Sequence, residues 1–207
     1  MLYNYYAEIN FNLMHIWCNA VLHSIYALIG SNMFVWIGCD ISHKFIEYRE
    51  KVRECNADLN ASENSFKFPQ HISLKITFET EDEIAKHCIK DIVEMLKATK
   101  SFTAKTKELE LHDGIIWIRM EENEHFRFLH DELDQIAISY AVKQHEFDKN
   151  FIFHSTVVMD EDREKLEKLF ERVKDIPYPE ELKINTFLVG HSFDNIDFKI
   201  DRRIKVK

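Results

Sequence analysis

Two short stretches bring together side chains whose types and spacing could do chemistry. They are His71-Ile72-Ser73, within HISLKITF at residues 71–78, and His154-Ser155-Thr156, within HSTVV at 154–158. In the first, Ile72, Leu74, Ile76 and Phe78 alternate with His71, Ser73, Lys75 and Thr77, the period-two pattern of a half-buried strand. One face is hydrocarbon, and the other presents an imidazole, two hydroxyls and an ammonium in a row, the composition of a site wall. In the second, His154 and Thr156 share a face and are flanked by Phe151, Ile152, Phe153, Val157, Val158 and Met159. Each strand thus offers a histidine and, two residues on, a hydroxyl pointing the same way. Imidazoles can take or give a proton near neutral pH, and hydroxyls can donate to an oxygen that gains charge.

Other candidates carry less. His112 sits in a turn, and His125 and His130 lack the i, i+4 spacing of a helical metal pair, so no metal and no cofactor is expected. Arg119 and Trp117 share a strand face, which suits phosphate binding and base stacking or, for the indole, simple core packing. The tail residues Arg202, Arg203, Lys205 and Lys207 form the one dense basic patch.

The elements that must position these residues follow in order. A buried strand at 34–41 precedes a helix from about His43, capped by Ser42, to Asn56. A polar loop leads to the 71–78 strand, and Thr80 with Glu83 reads as a capping box opening a helix that carries Ile84, Cys88, Ile89, Ile92 and Leu96. Strands at about 102–111 and 114–120 flank His112-Asp113-Gly114, a hairpin signal. An amphipathic helix spans 124–142, then a strand 151–159, a helix capped by Asp160, and strands at about 182–190 and 196–205. Strand, helix, histidine strand, helix therefore occurs twice, about 80 residues apart, which is an internal duplication.

With 207 residues, 45% of them hydrophobic, the chain suits one large domain or two lobes sharing a core. A net charge of −9 argues against a broad footprint for duplex nucleic acid. Cys18, Cys39, Cys55 and Cys88 show no framework spacing, which predicts reduced thiols. Residues 1–32 contain no Lys or Arg, so they fit neither a signal peptide nor an oriented membrane span. They read either as an accessory helix packed on the domain or as an upstream extension, the reading favoured here, with the working domain at 33–207 and lobes at about 33–100 and 101–207 that allow strand exchange.

Paired H-x-[S/T] motifs on strands of two duplicated lobes resemble the two-histidine (2H) phosphoesterase superfamily, which includes the 2′-5′ RNA ligases and cyclic nucleotide phosphodiesterases. His71-Ile72-Ser73-Leu74 follows the H-apolar-[S/T]-apolar pattern; His154-Ser155-Thr156-Val157 departs from it at Ser155. Leu129-His130-Asp131-Glu132-Leu133 is similar to the helix between the lobes. The resemblance implies an α+β, bilobal fold with two mainly antiparallel sheets facing a central cleft and helices outside. It implies metal-independent phosphoester chemistry on 2′,3′-cyclic phosphate or 2′-5′ linked ribonucleotide ends. His71 and His154 would be the catalytic acid and base, in either order, and Ser73, Thr156 and Lys75 would bind phosphate. A non-catalytic RNA-end or nucleotide-binding module and a 2′-5′ RNA ligase are the alternatives. RNA ends or small cyclic nucleotides are the expected partners of a cytoplasmic monomer with no membrane attachment.

Overall fold

Alternation along the first strand, β1 (Asn32–Asp40), sends Val35, Ile37 and Cys39 into a fully buried layer and leaves Trp36, Gly38 and Asp40 on the opposite face. The computed structural model describes residues 32–207. The extension expected at 1–32 therefore lies outside the described residues, apart from Asn32, which opens β1.

Among the described residues eight further strands and four α-helices follow: α1 (Ile46–Asn56), β2 (His71–Ser73), β3 (Phe78–Glu81), α2 (Asp82–Ala98), β4 (Phe102–His112), β5 (Ile115–Met120), α3 (Glu124–Ser139), β6 (His154–Met159), α4 (Arg163–Val173), β7 (Glu181–Ile184), β8 (Thr186–Ser192) and β9 (Lys199–Lys205). One sheet has the order β2-β1-β8-β9 with β3 also on β1, and the other has the order β6-β5-β4-β7. Every pairing is antiparallel. The architecture is α+β, two antiparallel sheets about a cleft with helices outside, as the family resemblance implies.

The helices bury stripes at helical spacing. Ala85, Cys88, Ile92 and Leu96 line α2, Phe126, Leu129, Leu133 and Ala137 line α3, and Leu166, Leu169 and Val173 line α4. Each large aliphatic side chain so buried contributes roughly 1.5–3 kcal/mol. Asn123 caps α3 by accepting from the His125 amide at 2.9 Å. In the β4–β5 hairpin Asp113 and Gly114 both take positive φ, 36° and 82°, as a two-residue turn of matching twist demands.

Five local expectations change. Ser42 does not cap α1, which begins at Ile46 after a short 3-10 turn at Ser42–Lys44. Residues 71–78 are not one strand. Ser73 pairs with Gly38 and Phe78 with Val35, so the four residues 74–77 span what Trp36 and Ile37 span in β1, and the chain bulges. The Thr80 capping box does not form, because β3 runs on to Glu81 and α2 starts without a side-chain cap. Asp162 rather than Asp160 caps α4, accepting from the Lys165 amide at 3.2 Å. The strand read at 182–190 breaks at Asn185. Its first part, β7, joins β4, whereas β8 crosses to β1, so the first sheet takes strands from both ends of the chain.

Candidate active site

The two histidine strands sit at the seam between the sheets. β2 is the terminal strand of one sheet and β6 of the other, and they contact each other. His71 donates from Nδ1 to the Pro69 carbonyl at 2.8 Å, and His154 donates from Nδ1 to the Ile152 carbonyl at 2.8 Å. The same i−2 contact in both motifs fixes the same tautomer, leaving each Nε2 lone pair directed away from its own backbone. Ile72 and Ser155 point the other way and are fully buried.

Each histidine strand pairs with a tryptophan strand. Trp36 on β1 meets the His71 ring edge-on at 4.6 Å, and Trp117 on β5 meets the His154 ring at 4.2 Å. Trp36 also donates from Nε1 to Ser73 Oγ at 3.2 Å, which leaves the serine's own hydrogen for a ligand. Gly38 permits this. A Cβ there would lie 2.6 Å from Trp36 Cζ2 and 2.9 Å from the Ile72 carbonyl. Thr156 lies half-buried opposite Trp117. Trp117 donates to Glu110 at 2.8 Å, and its outer face stacks on His112 at 4.8 Å. Trp36 carries no catalytic group and was missed in the sequence. The signal available was the shared Trp-Ile pair, Trp36-Ile37 and Trp117-Ile118, at equivalent points of the duplication.

Burial pushes the His71 imidazole down to about 4, opposed by its bond to Pro69 and aided by the charges of His154 and Arg49. Burial also holds His154 below the usual imidazole range, opposed by the Ile152 carbonyl and aided by His112. Burial therefore favours the neutral form of both rings.

Ser155, the departure from the motif pattern, has a structural occupation. Its Oγ donates to the His71 carbonyl at 2.7 Å and accepts from Gln70 Nε2 at 2.6 Å. Gln70 Nε2 also donates to the Thr156 carbonyl at 2.7 Å. The motifs are thus bonded to each other through buried polar groups.

Lys75 is a correction. The bulge after Ser73 breaks the alternation that would have kept it beside His71, and its side chain is only 2% exposed. Its Nζ donates to Asp134 at 2.5 Å and Asp148 at 2.8 Å, so its charge is spent inside the protein and not on a phosphate. His130, from the expected inter-lobe helix, reinforces the same place. Its ring nitrogens lie 2.8 Å from the Leu74 carbonyl and 3.0 Å from the Asp148 carbonyl. Lys75 and His130 together tie the segment after the first motif to the segment before the second. Of the five expected site residues, His71 and Ser73 lie on β2 and His154 and Thr156 on β6, the two strands that adjoin at the seam.

Among the described residues, no group of three or more His, Cys, Asp or Glu gathers as a metal site. No helix among them is long and apolar enough to cross a membrane.

The sequence profile of the 2′-5′ RNA ligase superfamily matches residues 34–191, a span that holds both motifs and both tryptophan strands. The chain belongs to this superfamily of 2H phosphoesterases. Among solved structures it resembles E. coli LigT complexed with 3′-AMP (14% identity over 85% of this chain and 99% of that one, TM-score 0.58). It also resembles a protein described as a phosphoesterase (14% identity, 84% and 99% covered, TM-score 0.54). A third is TT0787 of Thermus thermophilus (12% identity, 84% and 97% covered, TM-score 0.51). At these identities the likeness is one of fold. Comparison with curated proteins gave no significant match.

Proposed function

We propose that this superfamily member is a metal-independent phosphoesterase acting on 2′,3′-cyclic phosphate or 2′-5′ linked ribonucleotide ends. The observation that carries the reading is the pair of imidazoles with the same Nδ1–carbonyl anchor, carried on the two strands that adjoin at the seam between the sheets. In-line displacement at phosphorus needs a base on one side and an acid on the other, and two imidazoles meet that need. For a cyclic phosphate, His71 Nε2 takes a proton from the attacking water, a new P–O bond forms, and the bond from phosphorus to a ribose oxygen breaks. His154, protonated as the anionic substrate enters, returns a proton to that ribose oxygen. His71 suits the base because burial leaves its ring unprotonated near neutral pH, the state in which a base must start. Ser73 and Thr156 donate to the non-bridging oxygens as charge builds. The product is a nucleoside monophosphate, and E. coli LigT was crystallised with such a molecule, 3′-AMP. Ligation of 2′-5′ ends would run the same acid–base pair in reverse.

Incubation with 2′,3′-cyclic nucleotides and 2′-5′ oligonucleotides, with and without chelator, tests the reading. Expected is chelator-resistant turnover that falls on the order of a hundredfold or more in His71→Ala or His154→Ala. The double variant should be hardly worse than either single one. Turnover that a chelator abolishes and that both single variants retain would overturn it.

A further inference from the structure

The phosphate chemistry above uses one phosphate, yet the cleft wall carries a guanidinium that this chemistry leaves free. Arg119 on β5 pairs in register with His154, and Trp117 pairs with Thr156. Arg119 therefore stands on the same sheet face as the second motif, with its Cβ about 5 Å from that of His154. Its side chain is 36% exposed. Among the described residues its closest carboxylate, Glu110, lies at 3.6 Å, beyond hydrogen-bond distance, and that carboxylate already accepts from Trp117. Glu108 also lies within reach of the charge but is paired with Lys107 at 3.0 Å. Around Arg119 the two glutamates are thus balanced by Lys107 and Arg119 itself. The opposite wall differs. There Arg203 is bound directly to buried Asp40, the residue that pairs with His71. The cleft is asymmetric, with one guanidinium bound directly to a carboxylate and one that faces its carboxylate only at ion-pair distance, without a hydrogen bond to it.

Position decides what Arg119 can hold. The motif hydroxyls lie on β2 and β6, the strands at the seam, whereas β5 is one strand further back, about 4.8 Å from it. A planar fork there suits a phosphate bidentately but stands off the point where the histidines meet. Resting on the phosphoesterase reading, we propose that Arg119 binds a second, non-reacting phosphate of the substrate. The preferred substrate is then an oligoribonucleotide end, not a mononucleoside cyclic phosphate.

The test compares adenosine 2′,3′-cyclic phosphate with the dinucleotide adenylyl-(3′-5′)-adenosine 2′,3′-cyclic phosphate. The wild-type protein should favour the dinucleotide in kcat/KM by about ten- to a hundredfold, the scale of a charge-assisted hydrogen bond. Arg119→Gln should reduce that ratio to near one, chiefly through KM, and Arg119→Lys should restore part of it. Arg163→Gln, an exposed arginine on α4, is the control that keeps the full ratio. Binding of the corresponding ring-opened products, 2′- and 3′-phosphorylated, is titrated in parallel against salt, and loss of the Arg119 contact should lower the salt slope by about 0.7. A ratio that Arg119→Gln leaves intact, or a wild type indifferent to the second phosphate in both readouts, overturns the proposal while leaving the phosphoesterase reading in place. Absence of turnover with an Arg119-dependent preference in product binding overturns the catalytic reading and leaves the subsite standing.

Discussion

The Ser155 hydroxyl donates to the backbone carbonyl of His71 at 2.7 Å, so the residue that breaks the pattern of the second motif is bonded to the first. Both partners are protein groups away from water, and Gln70 completes the link from the other side. Ser155→Ala would leave that carbonyl short of its donor. A buried acceptor left unpaired costs about 1–3 kcal/mol. We expect a loss of stability of that size in urea unfolding, together with a lower kcat, because His71 and His154 lose their mutual brace. An unchanged unfolding midpoint would contradict the bond.

Gly38 and Trp36 give a second expectation. A methyl group on residue 38 would meet Trp36 Cζ2 at 2.6 Å and the Ile72 carbonyl at 2.9 Å. The backbone oxygen cannot yield, so the indole must, and with it the donor to Ser73 and the wall of the His71 ring. Gly38→Ala should cost about 1–3 kcal/mol, the usual range for overpacking. It should also lower activity more than its stability loss explains, measured at temperatures where the variant is fully folded.

Much of this site was legible because its signals are local. A histidine and a hydroxyl two residues apart on a strand must share a face, and the duplication put two such strands at equivalent places. What was not legible depends on long-range register. The bulge after Ser73 arises only when β2 and β3 both pair with β1, and it turns Lys75 from an expected phosphate ligand into an interior cation. The sheet switch at Asn185 is likewise invisible in hydrophobic pattern, since β7 and β8 each read as strand.

Lys75 yields the third expectation. Its ammonium stands between two carboxylates, Asp134 and Asp148, all three nearly inaccessible to solvent. Removing one partner of a buried ion pair strands the others and costs about 3–5 kcal/mol. Lys75→Met should lose stability on that scale, and the triple variant with Asp134→Asn and Asp148→Asn should recover part of the loss. Activity of the folded fraction should fall too, since the triad joins the segments flanking the two motifs. A Lys75→Met protein that binds substrate more weakly at unchanged stability would instead return Lys75 to the phosphate.

The last expectation is a pH dependence whose sign follows from His71. In the unfolded chain an imidazole binds its proton below about 6.5, whereas in the folded protein burial delays protonation of His71 until about 4. Between those values the unfolded state holds more protons, so stability rises with pH. The contribution is fully present above about 6.5 and is lost as the pH falls toward about 4. His154 is shifted in the same direction by the same cause and adds to the effect. Near pH 5 the loss attributable to His71 should reach about 1–2 kcal/mol. Comparing urea midpoints at pH 7 and pH 5 for the wild type and for His71→Gln isolates it, because glutamine does not titrate. The variant should lose less stability than the wild type over that interval. An equal loss in both would mean that His71 is protonated in the folded cleft as readily as in the unfolded chain, and it would remove the reason for assigning it the base.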